Sequence, residues 1–335
     1  MHRRIPTFLA AAMLAAATLA LPRTACAESV AFGTDWKAEA EHGGFYQAIA
    51  TGIYKRYGLE VNLRPGGPQV NHAQLLAAGV LDFNIASNSF VPLNFVREKI
   101  PMVAVAAIFQ KDPSVLIAHP GQGNESFAAL KGKPIMISAD TRAGWWNFLR
   151  AKFGYTDSQI RPYNFSLQPF LADKSAVQQG FLGSEPYSIR QQAGIDPVML
   201  LVADAGFTGY AQLLAASDKT IAQRHDVLQR FVDASIEGWI SYLHGDPAPA
   251  NAAIRKDNPE MTAALLEYGR GALVKNGILE SGDATTSGIG AMTAARWADF
   301  HTTMAGQGLY PKDLDVARAY TLDFVNHRAG LGAPK

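Results

Sequence analysis

An aspartate, a tryptophan and a histidine follow the first predicted strand of the chain. Asp35 and Trp36 come directly after the apolar run 29–33, and His42 stands six residues beyond the tryptophan. An aromatic ring offers a stacking face, and a carboxylate accepts hydrogen bonds from N–H groups. The pattern therefore favours a site for a planar ligand that carries N–H donors. The alternatives are a tryptophan in the core, an aspartate that caps the next helix, and a histidine that is packed or at the surface.

Small polar residues follow two further predicted strands. Ser87 and Asn88 end one strand, and Ser138 opens a turn that leads into a helix with Trp145 and Trp146. Amides and hydroxyls at such helix starts bind phosphate, sulfonate or carboxylate groups, and they equally cap a helix with no ligand present. Consecutive helical positions point about 100° apart, so one tryptophan can face a ligand while the other joins the core.

A proline-containing turn supplies another carboxylate and another aromatic ring. Glu185 and Tyr187 flank Pro186 after a further short strand. A carboxylate in a rigid turn is well placed to reach across a cleft, with the tyrosine as an aromatic wall. The alternative is an exposed acidic turn. A second turn, at Gly66 and Gly67, indicates either a tight reversal or a close approach of the backbone to another group.

The chain lacks the signatures of several classes of enzyme. We find no Ser-His-Asp signature, H-E-x-x-H helix, phosphate loop or dinucleotide fingerprint. The eight histidines are scattered and no lysine- or arginine-rich run occurs. We therefore expect a binding protein rather than an enzyme, with a small-molecule ligand and with no catalytic residues, cofactor, metal or nucleic-acid partner. We also expect a monomer.

The first 27 residues have the pattern of a signal peptide. Two arginines precede an apolar stretch, and the small-residue site Ala25-Cys26-Ala27 follows it. The alternatives are an uncleaved anchor helix and a lipoprotein acylated at Cys26, which Arg23 disfavours. Cleavage would leave 308 residues with 27 basic and 29 acidic side chains and no cysteine. A chain without thiols is indifferent to an oxidising compartment, so we expect the periplasm.

Strand-like and helix-like segments alternate along the remaining chain, which predicts α/β sheets with parallel strands. We expect two α/β lobes joined by a two-strand hinge. Residues 28–115 form the first part of lobe I, 116–213 an inserted lobe II, and 214–335 the completion of lobe I with a helical C-terminal region. The segments 114–118 and 213–216 are the expected hinge. Ligands of such folds lie between the lobes, at the carboxyl ends of parallel strands.

Several short stretches, taken together, resemble the SsuA/THI5-like (NMT1) solute-binding proteins, which have the two-lobed type II periplasmic-binding-protein fold. The resemblance covers roughly residues 30–240. The matching residues are Asp35-Trp36 with His42 and Tyr46, the segments 52–55, 57–61, 75–79 with 82–83 and 130–133, and Glu185-Pro186.

The spacing of Trp36 and His42 is most similar to the branch of that family that captures thiamine-precursor pyrimidines, and to its flavin-capturing relatives. The resemblance implies that Trp36 stacks on the ligand, that Asp35 and Glu185 accept hydrogen bonds from it, and that His42 lies nearby. It also implies ABC permease and ATPase subunits as partners. The alternatives are a binding protein for taurine, aliphatic sulfonates or nitrate, and an enzyme like the thiamine pyrimidine synthases, against which the cysteine-free mature chain weighs.

Overall fold

The computed structural model describes residues 27–331, apart from 68–69, 71, 139–140 and 143. The predicted signal peptide therefore lies outside the described residues, except for Ala27. Within the described part of the chain, no helix is long and apolar enough to cross a membrane.

The first sheet has five strands in the order β2-β1-β3-β10-β4. β1 pairs in parallel with β2 and β3, whereas β10 runs antiparallel to both β3 and β4. The sheet is therefore mixed rather than wholly parallel. Its strands are β1 (Glu28–Gly33), β2 (Leu59–Arg64), β3 (Phe83–Asn88), β4 (Met102–Phe109) and β10 (Ala211–Ser217).

The second sheet also has five strands, in the order β7-β6-β8-β5-β9. β6 is parallel to β7 and β8, and β5 is antiparallel to β8 and β9. β5 is buried along its whole length because it lies inside this sheet. The strands are β5 (Ser114–Ala118), β6 (Ile135–Ile137), β7 (Ile160–Pro162), β8 (Val177–Phe181) and β9 (Val198–Leu201).

Helices pack on both sheets, and the helices after β10 return to the first lobe. α1 packs against α9 and α10, and the second half of the chain thereby completes the lobe that the first half began. The helices are α1 (Gly43–Ala50), α2 (Ile53–Arg56), α3 (His72–Ala77), α4 (Phe90–Arg97), α5 (Trp145–Phe153), α6 (Gln168–Ala172), α7 (Glu185–Ala193), α8 (Asp218–Gln223), α9 (His225–His244), α10 (Ala248–Asp257), α11 (Ala263–Lys275), α12 (Ala284–Ser287) and α13 (Ala294–Gly306).

The chain crosses between the lobes over residues 110–113 and 202–210. The expected hinge segments are displaced from these crossings, because 114–118 is strand β5 of the second sheet and 213–216 lies within β10 of the first. The cause is that both crossings are short loops without the apolar run that marks a strand. The helical segment after β1 is divided, because Gly52 adopts a positive φ of 73° between α1 and α2.

One arginine side chain joins the two crossings. Arg296 of α13 donates to Thr208 O at 2.8 Å, to the side chain of Gln110 at 3.1 Å and to the backbone carbonyl of Gln110. Its guanidinium also lies 4.1 Å from the centre of the Tyr210 ring. A hollow of about 520 Å³ lies beside these residues, on the hinge side of the molecule.

Candidate ligand-binding site

The loop after β1 holds Asp35 and Trp36 at the carboxyl edge of the first sheet. Thr34 Oγ donates to Trp36 O at 2.9 Å, and the Gly66 amide donates to the same carbonyl at 3.0 Å. Gly66 approaches so closely that a Cβ at this position would lie 2.8 Å from the carbonyl carbon of Asp35. Of the two alternatives for the glycine pair, a tight reversal or a close backbone approach, Gly66 makes the close approach, and it fixes the loop that carries Asp35 and Trp36.

His42 lies buried beneath Asp35 at the start of α1. Its Nε2 is 3.0 Å from Asp35 Oδ1, and its ring is only 1 % exposed whereas Asp35 is 24 % exposed. The Nδ1 atom of His42 is buried with no hydrogen-bond partner. The histidine is thus placed to orient the Asp35 carboxylate, which itself reaches toward the solvent.

Trp36 meets an aromatic ring of the other lobe. The ring centres of Trp36 and Phe165 are 5.1 Å apart with an interplanar angle of 42°. Phe165 is 49 % exposed and adopts a φ of 63°, a conformation rare for a bulky residue. Such strained positions cluster at functional sites. Phe165 in turn contacts Tyr163 at 5.2 Å, so three rings follow one another from the first lobe into the second.

Glu185 is held at the end of this row of rings. The Tyr163 hydroxyl donates to Glu185 Oε1 at 3.2 Å, and the Phe181 amide donates to Oε2 at 2.8 Å. Glu185 begins α7, so it is the first residue of a helix rather than part of a free turn. The position suits a carboxylate, because the amino end of a helix favours negative charge.

Two further carboxylates, Glu39 and Glu41, lie between β1 and α1. Burial raises the pKa of Glu39 well above its usual value, and repulsion by Glu41, Glu185 and Asp35 adds to the effect. Burial also raises the pKa of Glu41 to about 7; its own backbone amide and His42 oppose this change, whereas Glu185 and Asp35 reinforce it. The cleft therefore concentrates negative charge from both lobes.

The lobes touch where Gly183 faces Glu41. A Cβ at position 183 would overlap Glu41 Oε1 and would lie 3.2 Å from the Cα of Gly269 in α11. A second contact joins Tyr187 of α7 to Tyr268 of α11, with ring centres 5.3 Å apart. Tyr187 therefore joins the two lobes, and its role as an aromatic wall for a ligand remains a prediction.

Gln212 contributes a buried amide to the same region from the strand that returns from lobe II. It has a φ of 45° and pairs with neither neighbouring strand, while Ala211 and Leu213 on either side do pair. Its side-chain amide donates to the backbone carbonyl of Glu41. The Gln212 side-chain oxygen and one Glu41 carboxylate oxygen, Oε1, are buried without a partner.

Several predicted site residues are placed elsewhere or are engaged locally. Tyr46 is buried within the first lobe, where its hydroxyl donates to Asp257 of α10 at 2.8 Å. Trp146 is fully buried, and its indole N–H donates to Asp157 at 3.1 Å. Both side chains pack inside their lobes, and as ligand contacts they remain predictions. Trp145 is also buried, at 4 % exposure.

The small polar residues act mainly as caps. Asn88 Oδ1 accepts a hydrogen bond from the Phe90 amide at the start of α4, and Ser87 is exposed. Ser138 Oγ accepts from the Thr141 amide at 3.2 Å. These bonds are the helix-capping alternative that the sequence left open. Ser87, Asn88, Ser138 and Trp145 remain predictions as ligand contacts.

Five residues of the site were missed by the sequence analysis. Glu39 and Glu41 could have been recognised, because two acids immediately before a helix match the preference of helix starts for negative charge. Tyr163 and Phe165 follow β7 at the carboxyl edge of its sheet, where ligands of α/β folds bind. Gln212 carried no signal, because its position depends on an irregularity within β10.

The chain matches a family model described as NMT1/THI5 like over residues 39–250. It belongs to this family. It is also similar to the riboflavin-binding protein RibY of Chloroflexus aurantiacus, with 25 % identity over 289 residues. The aligned residues cover 84 % of this chain and 81 % of RibY. The predicted family is therefore confirmed.

Solved structures confirm the predicted fold. The periplasmic aliphatic sulphonate binding protein SsuA from Escherichia coli superposes with a TM-score of 0.64 and 14 % identity, over 88 % of this chain and 92 % of that one. The desulfurization enzyme DSZB has the same fold, with a TM-score of 0.56 and 13 % identity, over 90 % of this chain and 98 % of that one. The fold is that of ABC-type solute-binding proteins, and it also supports catalysis.

Proposed function

We propose that this chain is the periplasmic solute-binding subunit of an ABC importer and that it captures a small planar N-heteroaromatic molecule between its lobes. The captured class would include thiamine-precursor pyrimidines and flavins. The permease and ATPase subunits of the importer are the proposed partners, and the chain itself performs no catalysis.

The pairing of Trp36 with Phe165 across the cleft carries the proposal. Each lobe supplies one ring, and both rings are partly open to solvent. If these rings separate from the 5.1 Å at which they now contact each other, a planar ligand that enters between them would stack on both. Stacking on an aromatic side chain contributes about 1–3 kcal/mol. Because the ligand would contact both lobes, it would favour the closed arrangement, as a ligand must if it is to shift such an equilibrium.

The groups around the rings favour N–H donors over anions. Asp35 and Glu185 lie on the two sides of the aromatic row, and both are hydrogen-bond acceptors when ionised. A sulfonate or nitrate at this place would meet like charge. The geometry therefore supports the heteroaromatic ligand over the sulfonate alternative.

A thermal-shift screen of the purified protein tests this function. The panel holds pyrimidines, flavins, taurine, an alkanesulfonate and nitrate, and a planar heterocycle is expected to raise the melting temperature while the anions do not. Stabilisation by taurine or nitrate alone would reject the proposal.

Two variants then locate the ligand. Trp36→Ala is expected to weaken binding of the heterocycle about 5- to 100-fold, as loss of one stacking contact predicts, whereas Trp36→Phe should retain most of the affinity. Met199→Ala removes an exposed apolar side chain from β9 and serves as the control. Equal affinities for Trp36→Ala and the control would exclude stacking on Trp36.

A further inference from the structure

Carboxylates from several elements converge on the cleft without a matching number of basic groups. Asp35, Glu39 and Glu41 come from the segment between β1 and α1, and Glu185 comes from α7. Glu41, Glu185 and Asp35 repel the charged form of Glu39, and Glu185 and Asp35 repel that of Glu41. Among the described residues no lysine or arginine forms a salt bridge with Glu39, Glu41 or Glu185.

Asp112 extends the charge to the first crossing between the lobes. It is 3 % exposed, its Oδ1 accepts from the Ser114 amide at 2.9 Å, and its pKa is raised by burial and by Asp35, although the Ser114 bonds oppose the change. Burial of ionised carboxylates is costly unless positive charge or hydrogen-bond donors satisfy them. The cleft therefore has the composition of a site that an external cation completes.

Unpaired acceptor atoms point to the place where such a ligand would bind. Glu41 and Gln212 are 3 % and 4 % exposed, and one side-chain oxygen of each has no hydrogen-bond partner. The two residues are adjacent, because the Gln212 amide donates to the Glu41 backbone. Buried polar atoms without partners are rare in folded proteins, and N–H donors of a bound ligand would satisfy these two.

We infer that the ligand of this cleft is an organic cation, a planar heterocycle whose N–H groups donate to the Glu41 carboxylate and to the side-chain oxygen of Gln212. This inference rests on the proposed function and narrows it to one charge class. An N–H donor that carries positive charge forms the shorter and stronger type of hydrogen bond with a carboxylate. Glu41 is then a specificity-determining residue, because it distinguishes a cation from a neutral ring of the same shape.

Three pyridines of matched shape test the charge class. They are 4-aminopyridine, which is a cation at pH 7.5, the neutral pyridine-4-carboxamide and the anion pyridine-4-carboxylate, each at 10 mM in a thermal-shift assay with taurine as a fourth compound. We expect 4-aminopyridine to raise the melting temperature by about 3 °C or more and the other three to have little effect.

The outcomes separate the inference from the proposed function. Stabilisation by the carboxamide equal to that by 4-aminopyridine overturns the cation while leaving a planar heterocycle as ligand. Stabilisation by pyridine-4-carboxylate or by taurine alone overturns both the cation inference and the proposed function. A shift with none of the four compounds overturns the cation inference, and the proposed function is then decided by its own panel.

A substitution assigns the effect to one residue. Glu41→Gln retains the shape and removes the charge, so we expect at least a 10-fold loss of affinity for 4-aminopyridine. Glu237→Gln removes an exposed carboxylate that pairs with Arg56 on the surface, and it should bind like the original protein. If Glu41→Gln and Glu237→Gln bind the cation equally well, Glu41 does not recognise it.

Discussion

The Glu41 carboxylate lies directly against Gly183 of the opposite lobe, with no room for a side chain between them. The Cδ atom of Glu41 would lie only 3.1 Å from a Cβ at position 183. The closeness of the two lobes at this point therefore depends on a glycine in lobe II and on a carboxylate in lobe I.

Gly183→Ala is expected to separate the lobes or to displace Glu41. The added methyl would also press on the Gly269 backbone, which cannot move independently of α11. Overpacking of this kind costs about 1–3 kcal/mol. We expect a lower free energy of unfolding in urea and a larger maximum dimension in small-angle X-ray scattering.

Gly271→Ala is the matched control on the same helix as Gly269. Nothing lies within 4 Å of a Cβ at position 271. An exposed helical glycine replaced by alanine gains about 0.5–1 kcal/mol, so this variant should be slightly more stable with an unchanged scattering profile. Identical scattering and stability of Gly183→Ala and the original protein would show that the lobes do not meet at Gly183.

Gly66→Ala is expected to displace the loop that carries Asp35 and Trp36. Its Cβ would lie 2.9 Å from Asp35 O, so the Gly66–Trp36 backbone hydrogen bond should lengthen or break. Hydrogen exchange followed by mass spectrometry should show faster exchange in the peptide that contains Gly66, whereas Gly306→Ala at the end of α13 should leave it unchanged. Unaltered exchange would mean that the loop tolerates the methyl group.

The buried Glu41 predicts a loss of stability as pH rises. The folded state holds the pKa of Glu41 at about 7 against an ordinary value of 4.5, so between these values the folded state binds more protons than the unfolded state. The free energy of unfolding must then fall from about pH 4.5 to pH 7, by roughly 1–3 kcal/mol from this residue.

Urea unfolding curves between pH 4.5 and 8 measure this dependence. In the Glu41→Gln variant the free energy of unfolding should fall less steeply as pH rises. At pH 8 this variant should be more stable than the original protein, because it lacks a buried charge that Asp35 and Glu185 repel. A variant whose stability changes with pH as steeply as that of the original protein would place the titration on another group, of which Glu39 is the nearest.

Arg296→Gln is expected to destabilise the protein by about 2–4 kcal/mol, since it breaks the bonds to both crossings and leaves buried acceptors unpaired. Arg56→Gln removes an arginine that is 57 % exposed and should cost less than about 1 kcal/mol. Urea denaturation compares the two variants. Equal losses would mean that Arg296 contributes no more than a surface ion pair.

The sequence predicts those parts of the fold that follow from local patterns. The alternating run 59–63 and the apolar runs 102–109 and 114–118 became strands, because strand periodicity and side-chain type specify them. The crossings were misplaced because loops carry no periodic signal. The sequence did not predict that β10 runs antiparallel to its neighbours in the first sheet, or that β5 does so in the second. Pairing direction depends on contacts between residues that are distant in sequence.

The candidate site could be predicted only where it follows the end of a strand. Asp35 and Glu185 were predicted because each is close to the carboxyl end of a parallel strand. The burial of Tyr46 in the first lobe could not be predicted, because a residue one helical turn beyond His42 has no sequence feature that distinguishes the cleft from the core. Glu41 and Gln212 derive their importance from burial, which only the folded chain reveals.

The bonds of Arg296 have a consequence for how the protein would present itself to a membrane partner. One guanidinium holds both crossings, so the crossings cannot slide or twist past each other without breaking those bonds. Bending of both crossings together leaves the bonds intact. The lobes should therefore approach and separate along a single path, and the distance between their tips would report to a permease whether the cleft is filled.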